Sequence, residues 1–234
     1  MAIINIDDSD YVKLYQKYDS NLFIRLYHSL LKYTFILPIF KLVPFDASIM
    51  DVGCARGKFL LNMKRYGYTN LSGLDISITD TVLNPDADAA FFQSSIIDND
   101  FALNADMLIG EPTIKNSLHE FVYDAVFVQN MLHHLPIKSL PTVARNISSL
   151  CKVGGHLLIY DVNRTSLVGK LFYNGLLRLF PEFYKSVSLE RKEQLEFCQF
   201  WPEFCAALRR NGMECLSRSE WSFYKAFVFQ KIEQ

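Results

Sequence analysis

The chain has 234 residues, 50% of them hydrophobic and 21% charged, which is the composition of a folded protein with ample core material rather than of a disordered one. Its 24 lysines and arginines against 25 aspartates and glutamates leave a net charge of −1, so no basic excess points to a nucleic-acid backbone as partner. The 5 cysteines are odd in number, form no Cys-x-x-Cys pair and lack zinc-site spacing, which predicts reduced thiols, a cytoplasmic chain and no metal site.

The acidic start, "MAIINIDDSDYVK", has no basic n-region and predicts no signal peptide. Residues 22–43 form the most apolar window, but Arg25, Lys32 and Lys41 interrupt it and Pro38 breaks it, so it falls short of a membrane span. Leu22, Leu26 and Leu30 make one helical row, and Phe23, Tyr27 and Leu31 the next. From residue 48 short apolar runs alternate with helical stretches, the pattern of a parallel sheet with crossovers. The predicted strands are 48–53, 70–77, 88–95, 123–130 and 152–162, with helices at 57–66 and 138–150. A long Leu-, Phe- and Tyr-rich segment, 163–199, is broken by Gly169, Gly175 and Pro181. Residues 201–232 then read as a helix, a turn at Asn211-Gly212 and two strand-like runs about Ser219. The connections 96–122 and 163–199 exceed ordinary loop lengths, and such segments wall substrate sites in open α/β sheets.

The first strand runs into "DVGCARG", a glycine turn that departs from a dinucleotide fingerprint. Ala55 stands between Gly53 and Gly57, and no third glycine follows. Asp51 would repel a pyrophosphate seated on the next helix N-terminus, and suits a ligand with a cationic amine or hydroxyls. Asp75, closing the second strand, is placed to accept hydrogen bonds from a ribose diol. Together these acids favour a nucleoside that carries a positive group.

These motifs resemble the class I S-adenosylmethionine-dependent methyltransferases acting on small molecules, including the ubiquinone/menaquinone-biosynthesis-like group. The resemblance covers about residues 47–162 and, more weakly, 200–232. It implies a Rossmann-like, seven-stranded, mostly parallel α/β sheet of order 3-2-1-4-5-7-6 with helices on both faces. It divides a single domain into an N-terminal helical lid (1–46), a cofactor-binding core (47–162), a lid insertion (163–199) and a C-terminal helix with strands (200–234). By resemblance Asp51, Gly53, Cys54 and Gly57 line the methionine end of S-adenosylmethionine, Asp75 and Ile76 its ribose, and Gln129 and Asn130 pass beside it. Ser94 and Ser95 stand at the family's "G-D" pair, putting Ser95 and Ile96 at the adenine. "KVGGHLLIYD" matches a late turn of the family with Val153 in place of proline, and Tyr11 and Tyr18 lie in the segment that folds over the cofactor.

Methyl transfer from a sulfonium is an in-line displacement that needs orientation above all. A hydroxyl acceptor gains further from a base, for which histidine is suited. "MLHHLP" sets His133 and His134 just past the fourth strand, and Asp161 closes the fifth, which suggests a His–Asp dyad with His134 favoured over His133 as base. The expected acceptor is a small apolar or aromatic molecule, with O-methylation preferred. Lys170, Arg178 and Lys185 leave peripheral membrane contact open, in a monomer or homodimer. A non-methylating enzyme of the same fold (a cyclase or eliminase) and a cofactor-binding protein without turnover are the alternatives.

Overall fold

Eight strands form one sheet of order β4-β3-β2-β1-β5-β6-β8-β7 in a computed structural model that describes residues 41–77, 88–109, 121–179, 190–220 and 224–233. Residues 43–234 make up a compact unit of their own. The strands are β1 (Ile49–Val52), β2 (Leu71–Asp75), β3 (Ala90–Gln93), β4 (Leu108–Ile109), β5 (Tyr123–Gln129), β6 (Cys151–Val162), β7 (Met213–Ser219) and β8 (Tyr224–Lys231). The helices are α1 (Lys58–Arg65), α2 (Leu140–Ser149), α3 (Leu167–Asn174) and α4 (Arg191–Arg210). The helix expected at 22–37, Tyr11 and Tyr18 lie outside the described residues.

β1 sits in mid-sheet, parallel to β2 on one side and to β5 on the other, and β6 continues the parallel set beyond β5. Its four residues are all buried, as expected of a strand covered on both faces. The alternation of side chains divides those faces. Met50, Val52, Val126, Val128, Leu157 and Ile159 join Val143 and Ile147 of α2 and Phe197, Trp201, Phe204 and Leu208 of α4 in one apolar cluster. On the other face Phe127 meets Phe59 of α1 at 4.9 Å between ring centroids.

The order of the seven expected strands is kept, but β4 makes an eighth. It lies inside the connection 96–122 and pairs antiparallel with β3, Phe91 against Ile109 and Phe92 against Leu108, covering an otherwise open edge. Two residues carry no readable periodicity, which is why the sequence pattern does not reveal it. The residues before it are anchored too. Asn146 of α2 donates to the carbonyls of Ile96 and Asp98 at 2.8 Å each, and Arg145 to that of Asn99 at 2.6 Å.

Helix α4 starts ten residues before the expected position near 201, since Pro202 lies inside it. Phe197, Cys198, Trp201, Phe204, Cys205 and Leu208 are buried along one stripe, and their burial offsets the hydrogen bond that Pro202 cannot make. The stretch Arg191–Gln199 thus belongs to a core helix.

Candidate active site

The parallel strands β2, β1, β5 and β6 are neighbours in that order, so their carboxyl ends share one edge of the sheet. Asp75, Asp51, Gln129 and Asp161 stand at or beside those ends. In open α/β sheets this is the edge where ligands bind.

The turn after β1 alternates left-handed residues, with φ of +77° at Gly53, +45° at Ala55 and +69° at Gly57. Its N–H groups are largely consumed within the fold. Gly53 and Cys54 both donate to the carbonyl of Leu74 (2.7 and 3.2 Å), and Gly57 to that of Cys54 (2.9 Å). Ala55 donates to Asp75 Oδ2 at 2.9 Å. A phosphate cradle needs such groups free. This turn instead uses them to hold Asp75 beside the first strand, in keeping with the sequence argument against a pyrophosphate.

Asp75 also accepts at Oδ1 from the N–H (3.0 Å) and hydroxyl (2.9 Å) of Ser77. A carboxylate has lone pairs to spare beyond these bonds. Asp51 is 3% exposed, and burial followed by the charge of Asp75 pushes its carboxyl well above the usual range. The same burial and the two acids raise the Cys54 thiol. Two neighbouring carboxylates are a place for a cation.

On β5, Gln129 keeps its Nε2 donor buried with no partner among the described residues. A buried amide donor without an acceptor costs free energy unless a ligand supplies one. Asn130 follows at φ +49°, its N–H bonded to the carbonyl of Tyr160 at 2.8 Å. Met131 then packs on the glycine turn: a Cβ built on Gly53 would lie 2.5 Å from its Cγ. These features (two acids, an orphaned amide and a turn closed to phosphate) fit a nucleoside bearing a positive group. Ile76 is exposed, whereas Ile96 is buried in the apolar cluster, and Ser95 is half-buried with its carbonyl accepting from Asp98.

Past Asn130 the short 3-10 turn Leu132–His134 presents the two histidines. Asp161 is bonded to His133 and not to His134: its Oδ1 lies 2.5 Å from His133 Nδ1. The same carboxylate accepts from the N–H groups of Leu132 (3.0 Å) and Val162 (2.7 Å), and it is fully buried. His133 Nε2 faces Glu190 Oε2 at 3.7 Å. Burial alone would lower His133, but Asp161 and then Glu190 outweigh it and push it up to about 9. His134 lies against it with the rings tilted at 41° and their centroids 4.0 Å apart, and its Nδ1 is 3.9 Å from Glu193 Oε2. Burial and the neighbouring His133 charge hold His134 below the ordinary histidine value, while its side chain stays 38% exposed.

Sequence reasoning missed the helix α4 side of this centre. Glu190 accepts from Gln194 Nε2 at 2.9 Å, and Gln194 Oε1 accepts from the buried Arg164 Nε. Arg164 in turn lies over the Tyr173 ring, 4.2 Å from its centroid. The only signal was the Glu190-x-x-Glu193 spacing at a helix start, which is also the ordinary pattern of a favourable first turn. By strand alternation Asp161 points to the α2–α4 side, whereas Gln129 and Tyr160 share the face of Asp51. On that face Tyr160 stacks on Tyr224, centroids 4.2 Å apart at 16°.

A sequence model described as a methyltransferase domain matches residues 15–218. The chain belongs to this methyltransferase family. It is an S-adenosylmethionine-dependent class I methyltransferase of Rossmann-like fold. Among solved structures, the methyltransferase is similar to magnesium protoporphyrin IX methyltransferase from Synechocystis with bound SAH, at 13% identity, a TM-score of 0.57 and 95% coverage of each chain. It is also similar to an O-methyltransferase family protein from Burkholderia thailandensis, at 16% identity and a TM-score of 0.55 over 87% of this chain and 57% of that one. A curated relative, human EEF1A lysine methyltransferase 2, is 40% identical over 35 residues, 15% of either chain. The match to the curated relatives therefore spans about a seventh of their length. Among the described residues, no helix is long and apolar enough to cross a membrane.

Proposed function

We propose that this methyltransferase acts on a small apolar or aromatic molecule, preferably at a hydroxyl, in the cytoplasm. When bound, S-adenosylmethionine supplies a sulfonium-bound methyl group for in-line displacement. Asp51, Gly53, Cys54 and Gly57 would hold its methionine end and Asp75, with Ile76, the ribose hydroxyls. Gln129 and Asn130 would flank it, with Ser95 and Ile96 near the adenine. The orphaned Gln129 donor and the acid pair support this assignment.

The observation that carries the acceptor side is the buried His133–Asp161 pair with the exposed His134 ring against it. Asp161 orients His133 and fixes the 3-10 turn through the Leu132 N–H, which holds His134 in place. In this reading His134 takes the proton from the acceptor hydroxyl as it attacks, and His133 is a positioning residue. The four buried cysteines, all free, support a reducing compartment.

A lysine side chain is the second reading, supported by the short match to the lysine methyltransferase. A metabolite extract and, separately, a protein extract incubated with labelled S-adenosylmethionine distinguish the two. A methylated small molecule detected by mass supports the first, and label confined to protein supports the second. If His133→Ala and His134→Ala both keep wild-type turnover at saturating cofactor, the histidine role is wrong.

A further inference from the structure

His133, His134 and Glu190 each offer one ligand atom, and those atoms lie within 4.8 Å of one another. The geometry points to a site for one borderline divalent metal ion of the zinc class, bound by His133 Nε2, His134 and Glu190, with Glu193 in reach as a further ligand.

The carboxylates stand at ion-pair rather than hydrogen-bond distance from the imidazoles, which leaves room for an ion between them. The separations of 3.7 Å from His133 Nε2 to Glu190 and 3.9 Å from His134 Nδ1 to Glu193 are too long for hydrogen bonds. Two ligands at about 2.0–2.2 Å from a tetrahedral ion stand about 3.3–3.6 Å apart, so the His133–Glu190 pair needs a few tenths of an ångström and the widest pair about 1 Å of side-chain movement to complete the site. The support around the ligands is also of the right kind. His133 has its other nitrogen on the buried Asp161 at 2.5 Å, the carboxylate–histidine arrangement that orients metal-bound imidazoles. Glu190 is steadied by Gln194, itself held by Arg164. Three carboxylates, Asp161, Glu190 and Glu193, surround the two imidazoles, a charge balance that a dication complements.

The donor set selects the class of ion. Nitrogen and oxygen without thiolate suit zinc or its divalent first-row neighbours, whereas calcium and magnesium prefer all-oxygen shells. Glu190 and His134 have side chains 35% and 38% exposed, so an ion can enter and keep a position open. Bound there, it clips the turn after β5 to the start of α4. It also occupies a lone pair that His134 would offer to a proton, so the loaded and proton-accepting forms exclude each other. That last consequence alone rests on the proposed base role.

The test uses the untagged full chain, stripped by chelator and dialysed against Zn²⁺, with metal analysis and thermal denaturation. One ion per chain and a raised Tm are expected. His134→Ala and Glu190→Gln should weaken binding at least tenfold, and Asp161→Asn about 10–100-fold. Lys192→Ala, beside the site but not part of it, should leave binding unchanged. No stoichiometric binding, or binding that survives both His134→Ala and Glu190→Gln in folded protein, overturns the site. These readouts need neither cofactor nor acceptor, so they stand apart from the methyl-transfer reading. Once an acceptor is in hand, zinc should lower turnover and chelator restore it; stimulation by zinc would overturn the exclusion.

Discussion

Asp161 holds His133 by a 2.5 Å contact to Nδ1 while its other oxygen caps the N–H of Leu132, so one buried carboxylate fixes both the imidazole and the turn that carries it. Removing it strands a buried imidazole and two backbone donors. Asp161→Ala should cost about 3–5 kcal/mol, the usual penalty for breaking a buried pair. Chemical denaturation measures it, and a loss below 1 kcal/mol would mean the centre relaxes freely.

The middle of the glycine turn is strained in a correctable way. Ala55 sits at φ +45°, where a Cβ is disfavoured and glycine is not. Ala55→Gly should stabilise the protein by about 0.5–1 kcal/mol after the entropy of the added glycine is discounted. The urea midpoint is the readout.

At Gly53 the expected sign reverses. Gly53→Ala would force a Cβ to within 2.5 Å of Met131 Cγ in a left-handed residue. A stability loss of about 1–3 kcal/mol is expected, with at least tenfold weaker cofactor binding by calorimetry. Adding Met131→Ala should recover only part of the loss, because the backbone strain remains.

Asp124 sets part of the acid limb of stability. It accepts from the Ser48 hydroxyl at 2.6 Å, the Ser48 N–H at 2.7 Å and Lys152 Nζ at 3.0 Å. Partial burial opposes these bonds, but they win and lower its carboxyl below the usual value. Its stabilisation is therefore full above about pH 4 and is lost as pH falls through the lower folded value. Asp124→Asn should be less stable at pH 7 and converge on wild type in strong acid, as followed by denaturation across pH.

Asp51 has the opposite sign. Burial and the Asp75 charge raise its carboxyl, so its contribution is full below about pH 4 and is lost as pH rises through the raised value. Asp51→Asn should stabilise the cofactor-free protein at neutral pH while weakening S-adenosylmethionine binding. Opposite movement of Tm and affinity is the signature; a parallel fall would show that Asp51 serves the fold instead.

The sheet and the turn at its carboxyl edge were legible because local chemistry carries them. Asp51 and the glycines announce a turn, and apolar runs around Ile49, Val126 and Ile159 announce covered strands. The histidine centre was only half legible. Adjacent residues such as His133 and His134 diverge in direction, and no one-dimensional pattern says which of them meets a carboxylate 28 positions on. Glu190 and Glu193 were silent because charged first turns are common on helices that bind nothing. Pro202 misled for a tertiary reason, since the burial of Phe197 and Trp201 overrides a local breaker.

The edge formed by β2, β1, β5 and β6 has a geometric consequence. Neighbouring strands are held about 4.8 Å apart, so the span from Asp75 to Asp161 is a fixed ruler of about 14 Å. Any group seated at the Asp75 end leaves a set remainder at the other, and backbone hydrogen bonds rather than adjustable side chains define it. Side-chain substitutions along that edge can therefore change its chemistry without changing its length.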